Sequence, residues 1–225
     1  MSASASPSEP APKRRPAAGT RDRGENRAGI LAAATDEFAR HGLAGARVDR
    51  IAASAGTNKR MLYYYFGSKE GLFTAVLEAA YADIRAAEKR LSLLDVPPIE
   101  GIRRLIAFTW NYFIAHPQFL MLLNTENLYR GQHLQGRTEV RSLNSPLIAT
   151  LSEILRRGRA DGSFRAAPDA LQLYISIAGL AYFYLSNNHT LSAIFARDLA
   201  RPAARRERLA HMTELVLGYL RHGPE

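Results

Sequence analysis

"GTNKRMLYYYFGSKEGLF", residues 56–73, crowds Lys59, Arg60, Lys69 and three consecutive tyrosines ahead of an apolar run. The stretch is too polar to be core and too short to hold a pair of strands. Asn58 is a good N-cap for a short helix over "NKRMLYYYF", in which Leu62 and Phe66 face inward. Successive helical residues point about 100° apart, so Tyr63, Tyr64 and Tyr65 cannot all be buried. Ser68 then caps a further helix.

Working outward, "VDRIAASAG" (48–56) places Val48, Ile51, Ala52 and Ala55 on one side and closes on Gly56. Before it, "RAGILAAATDEFARHG" (27–42) repeats Ile30, Leu31, Ala34 and Phe38 at helical spacing, with Gly42 as the stop signal. Three short helices, with a tight glycine-containing turn between the second and third, describe a helix-turn-helix. The major groove of B-DNA admits one helix, whose leading end meets base edges. Thr57, Asn58, Lys59 and Arg60 stand at that end, and at least one tyrosine hydroxyl is expected to reach a phosphate. Lys69, at the start of the next helix, adds a cation to free backbone N–H groups, a combination suited to phosphate.

The rest of the chain also reads as helix. One helix is expected from Lys69 to about Leu94, broken by Pro97 and Pro98. Ile102, Leu105, Ile106, Thr109 and Phe113 form a stripe ending before His116-Pro117, and 117–130 is closed by Gly131. The segment 132–144 is ambiguous; Ser145-Pro146 opens a helix reaching Arg159, and Asp161-Gly162 turns the chain. Asp169 to Asn188 is apolar nearly all round, and Pro202 to Leu220 carries Leu209, Met212, Val216 and Leu220 on one face. The expected fold class is all-α: a three-helix DNA-binding domain over 26–70 and a larger helical ligand-binding and dimerisation domain over 71–225. Residues 1–25, rich in Ser, Ala and Pro, read as a disordered basic tail without the apolar segment of a secretory signal.

Composition narrows the function. The 225 residues carry a net charge of +9, consistent with an anionic partner. Residues 1–70 hold 12 of the 30 Lys/Arg but 7 of the 21 Asp/Glu, so the basic surplus leans toward the helix-turn-helix. The absence of cysteine removes disulfides, thiolate metal sites and a catalytic thiol, and suits a reducing cytoplasm. The apolar run from Ala170 to Leu185 is interrupted by Gln172 and Ser176 and falls short of the roughly 20 residues of a bilayer span. No membrane, metal or cofactor is expected. The six histidines show no i,i+4 pair, and no nucleophile elbow, phosphate loop or dinucleotide fingerprint is present, which argues against an enzyme.

The motifs now quoted carry a resemblance. "ILAAATDEFARHGLAGARVDRIAASAGTNKRMLYYYFGSKEGLF" resembles the N-terminal DNA-binding domain of the TetR family of transcriptional regulators: an "IA..AG" second helix, a recognition helix ending in "LYYYF", and "SKE.L" opening the fourth. "HPQFLMLLNTENLYRG" (116–131) is similar to a branch whose C-terminal domain is like that of pyrimidine-responsive regulators. The resemblance implies an all-α homodimer that binds a palindromic operator in double-stranded DNA and answers to a small-molecule effector, most often as a repressor. It places DNA contact on Arg47, Thr57, Asn58, Lys59, Tyr63, Tyr64 and Lys69. Arg47 stands where such families usually have a Ser or Thr cap.

In the C-terminal helices, polar groups at otherwise apolar places nominate a ligand site: Trp110, Asn124, Asn127, Tyr174 and Ser176. The last two helices carry more apolar surface than a small domain covers internally, and a four-helix interface between two copies would bury both. Lys13, Arg14, Arg15, Arg21, Arg23 and Arg27 of the tail are candidates for further phosphate contact. An architectural protein that coats DNA without sequence preference is the rival reading.

Overall fold

The computed structural model describes the backbone of residues 18–165 and 168–222, with side chains from residue 26 onward save that of 141. Among the described residues the chain is helical throughout and contains no strand. The helices are α1 (Ala18–Gly45), α2 (Val48–Ser54), α3 (Lys59–Phe66), α4 (Lys69–Lys89), α5 (Pro98–Ala115), α6 (Pro117–Leu128), α7 (Thr138–Ala160), α8 (Ala170–Ile194) and α9 (Pro202–His222), with a 3₁₀ turn at Leu93–Asp95. No described helix is long and apolar enough to cross a membrane.

Two cores share α4. The first gathers Ile30, Ala34 and Phe38 of α1, Ile51 of α2, Leu62 of α3, and Leu72, Phe73, Val76 and Leu77 of α4. Phe38 and Phe73 meet edge to face at 5.1 Å, and burying each contributes about 1.5–3 kcal/mol. Leu122 of α6 completes this core, so the sixth helix packs directly on the first three. The second core runs from Ile84 through α5 and α7 to Ile177, Met212, Val216 and Leu220.

The expected start signals hold where a side chain can cap. Asn58 Oδ1 accepts from the Met61 N–H at 3.1 Å, Ser68 Oγ from Gly71 at 2.9 Å and Asp169 from Gln172 at 3.0 Å. Pro98 and Pro117 open α5 and α6 at a position that has no N–H to lose. Gly42 breaks α1 with φ +63°, a conformation open to glycine, and the chain then continues in a short helical extension to Gly45. α1 itself begins at Ala18, inside the stretch assigned to the tail; residues 1–17 lie outside the described residues.

Three boundaries differ from expectation, each for a tertiary reason. α4 stops at Lys89, because Ser92 takes a left-handed backbone and the following carbonyls of Leu94 and Val96 accept from the Arg157 guanidinium of α7. α7 begins at Thr138 and carries Pro146 within it. The proline removes one helical hydrogen bond, but Val140 and Leu147 on either side are buried, and the Asn144 amide donates to the Val140 carbonyl at 2.7 Å. α8 continues to Ile194, with Asn187 and Asn188 donating back to the Phe183 and Leu185 carbonyls.

Candidate nucleic-acid interface and effector cavity

The α2–α3 pair is held by the core and leaves one face outward. Leu62 is fully buried and Phe66 half-buried, and Arg27 of α1 lies over the Phe66 ring at 5.2 Å. That contact makes Arg27 an anchor of α3. Of the other tail cations, Lys13, Arg14 and Arg15 lie outside the described residues, as do the Arg21 and Arg23 side chains. Gly56 turns the chain between the two helices with φ +62°.

Asn58, Lys59, Arg60, Tyr63 and Tyr64 are exposed together on α3 and its cap, Tyr64 by 68%. Tyr65 turns the other way, packs on the first core and buries its hydroxyl. The three tyrosines thus divide as the helical geometry requires. Lys59 Nζ lies 2.7 Å from Asp49 Oδ1 on α2, both exposed. Such a surface pair contributes about 0–1 kcal/mol, so it would cost little to exchange the aspartate for another anion. Arg60 is exposed on the same helix, although the family pattern did not nominate it.

The remaining nominated contacts sit at the rim. Thr57 is half-buried in the turn, and Lys69 donates to the Ala44 carbonyl at 3.3 Å. The Arg47 side chain is exposed and makes no cap bond. Its backbone N–H instead donates to Glu37 Oε1 at 2.8 Å, and Arg50 Nε donates to the same oxygen at 2.8 Å. Burial opposes the Glu37 charge, yet the Arg50 hydrogen bond and the Arg47 N–H together hold its carboxyl below the usual range. A carboxylate on α1 therefore takes the N–H of the cap residue, as the acid of a capping box does, and ties α2 to α1, while no side chain caps the first turn of α2.

A second polar joint ties α6 to the DNA-binding end. Glu126 is buried; its Oε1 accepts from the His133 N–H at 2.8 Å, and its Oε2 lies 2.6 Å from His133 Nδ1. His133 meets Phe73 of the first core edge to face at 5.1 Å, and Tyr129 and Leu134 pack on the same core. The end of α6 and the turns after it therefore press on α4 at the base of the helix-turn-helix.

The five nominated ligand residues are not brought together. Trp110 is buried in the second core against Tyr184, at 5.6 Å between rings. Asn124 is spent on Ser186, to which it donates at 3.1 Å, and on Tyr182, from whose hydroxyl it accepts. Asn127 and Ser176 are exposed. Tyr174 accepts from Arg85 Nη2 at 3.0 Å.

A cavity of about 480 Å³ opens instead among α4, the 3₁₀ turn and α7, lined by Arg85, Glu88, Leu93, Leu143, Pro146 and Leu147 among others. None of the five lines it, and Tyr174 reaches it only through Arg85. Arg85 Nη1 and Glu88 Oε2 stand 2.8 Å apart, both side chains more than nine-tenths buried. Burial drives the Glu88 carboxyl up to about 7, against the pull of Arg85.

Comparison with known proteins accords with this geometry. Residues 30–76 match the family model for bacterial regulatory proteins of the tetR family, and residues 98–216 match that of the tetracyclin repressor-like C-terminal domain. The chain is 42% identical over 192 residues to the HTH-type transcriptional repressor NicS of Pseudomonas putida, covering 85% of this chain and 91% of the relative. It is 38% identical over 163 residues to the HTH-type transcriptional repressor SCO4008 of Streptomyces coelicolor, covering 72% and 80%. Among solved structures, the putative transcriptional regulator SCO4942 from Streptomyces coelicolor superposes with a TM-score of 0.62 at 28% identity, over 85% of this chain and 96% of that one.

Proposed function

Because the chain belongs to the TetR family of DNA-binding transcriptional regulators, we propose that it is a cytoplasmic repressor, bound to a pseudo-palindromic operator as a homodimer and released by a small-molecule effector. One observation carries the DNA-binding half: α3 is pinned from behind by Leu62 and Phe66, with Asn58, Lys59, Arg60, Tyr63 and Tyr64 left facing out. That is the arrangement by which a helix enters the major groove. Thr57, Lys69 and Arg47 flank it within reach of the phosphates. Two relatives named as transcriptional repressors, at 42% and 38% identity, support the sign of the regulation.

The homodimer rests on α8 and α9. Leu171, Ile175 and Phe183 on α8 and Leu215 and Tyr219 on α9 are about half exposed each, far more large apolar surface than two packed helices ordinarily leave to water. A second copy seated there covers both stripes around a twofold axis. The two α3 helices then stand about 34–36 Å apart, or a multiple of it, to meet successive major grooves.

The effector reading rests on the cavity of about 480 Å³, a size typical of small-molecule sites. A ligand there touches α4 and α7, and α4 runs on into the first core beneath α3. Release requires that the ligand bind a dimer shape other than the DNA-bound one more tightly. The Glu126–His133 joint gives α6 a rigid hold on the same core.

A reporter whose promoter overlaps the bound site tests the sign. Expression of the protein is expected to silence the reporter by tenfold or more, and the effector to restore it. A reporter that rises when the protein is expressed identifies an activator and ends the repressor reading.

A further inference from the structure

Arg85 is out of balance with its surroundings. Its side chain is 6% exposed, it lines the α4–α7 cavity, and its Nε finds no hydrogen-bond partner. Nη2 donates to the Tyr174 hydroxyl at 3.0 Å. Nη1 lies 2.8 Å from Glu88 Oε2 but off the hydrogen-bonding direction, so that pair is electrostatic contact without a formed bond. A buried guanidinium with an idle N–H is expensive, and a guanidinium does not surrender its charge. Its neighbour can. The Glu88 carboxyl sits up at about 7 because burial outweighs the attraction of Arg85.

We propose that this cavity takes a small organic anion, a carboxylate on an apolar body, with the Arg85 guanidinium as its anchor. A carboxylate offers two acceptors in the plane of the guanidinium fork and supplies the charge opposite Arg85 when Glu88 holds its proton. Leu93, Leu143, Pro146 and Leu147 surround the rest of the molecule with apolar wall. Of the other charged groups in the lining, the exposed Lys89 and Asp95 offset each other at the mouth, and Glu88, raised by burial, can take up a proton beside a bound anion while Arg85 keeps its charge against a cation. A neutral ligand leaves the guanidinium charge as poorly matched as before. A phosphate dianion needs more donors than one arginine holds ready. The assignment rests on reading this cavity as the effector site.

The test is titration of the full-length protein with benzoate and hexanoate against their neutral amides, benzamide and hexanamide, followed by melting temperature and by calorimetry. At least one acid is expected to bind, at least tenfold more tightly than its amide. Arg85→Met is expected to weaken acid binding at least tenfold while leaving amide binding unchanged. Should Arg85→Met fail to fold by circular dichroism, Arg85→Lys serves, since it keeps the charge and loses the fork. Failure of both acids to bind, equal binding of acid and amide, or undiminished acid binding by the folded variant would each overturn the proposal. Operator affinity measured alongside separates the two readings. Acid binding through Arg85 with no change in DNA affinity keeps the anion site and removes the effector role. DNA release by the amides alone does the reverse.

Discussion

Replacing Lys59 and Tyr64 together by alanine is expected to weaken operator binding at least about a thousand-fold and to leave the dimer and its melting behaviour unchanged. Both side chains are exposed, and neither fills a core position, so alanine opens no cavity beneath α3. Among the described residues, the ion pair lost with Lys59 is the exposed one to Asp49. In the proposed complex, each side chain makes one DNA contact per copy. Four contacts at about 1 kcal/mol or more sum to at least ~4 kcal/mol, and every ~1.4 kcal/mol is tenfold. The dependence of affinity on salt should also flatten, because one lysine–phosphate contact disappears from each half-site. Anisotropy titration with labelled DNA reads the affinity, and sedimentation reads the dimer. A variant that falls apart into monomers shows instead that these side chains are structural.

The second large effect lies at the other end of the molecule. Phe183→Arg on α8 is expected to convert the dimer to a folded monomer and to abolish operator binding with it. Phe183 is 58% exposed in the single chain, so within one copy the arginine meets water and costs little. At a twofold interface the change is made twice. Losing two buried phenylalanines removes roughly 1.5–3 kcal/mol each, and two desolvated guanidinium groups add to the loss. A dimer weakened by several kcal/mol dissociates at micromolar protein, and each α3 then binds as an isolated half. Light scattering that still reports a dimer would move the interface away from α8.

The DNA-binding end was legible in the sequence because its requirements are local. Asn58 and Ser68 cap helices through hydrogen bonds to residues three positions on, and Leu62 shows its inward direction by spacing alone. The exposure of Tyr63 and Tyr64 against Tyr65 follows from the turn of one helix. What could not be read was anything fixed by a distant partner. Arg157, more than sixty residues on, accounts for the end of α4 by claiming the Leu94 and Val96 carbonyls. Packing of Val140 and Leu147 carries α7 through a proline that, taken locally, marks a start.

The nominated ligand residues show the same limit more sharply. Trp110 and Asn124 stood out as polar groups in apolar helices, but α8 packs a tyrosine ring against the first and supplies two hydroxyls to the second. The residues that do face a cavity carried a quieter signal. Leu77, Tyr81, Ile84 and Glu88 follow one face of α4, so a carboxylate stands where an apolar residue is due. Arg85 beside it looks like an ordinary surface charge until α7 covers it.

The central claim is that α3 reads DNA twice per dimer, and selection of bound sites from a pool of random duplexes tests it most directly. The account predicts one enriched motif made of two inverted half-sites whose centres lie a whole number of helical turns apart. Nuclease footprints should be confined to that motif and absent with the Lys59→Ala, Tyr64→Ala protein. Uniform coating of unrelated duplexes, or an enriched site without inverted symmetry, would contradict it.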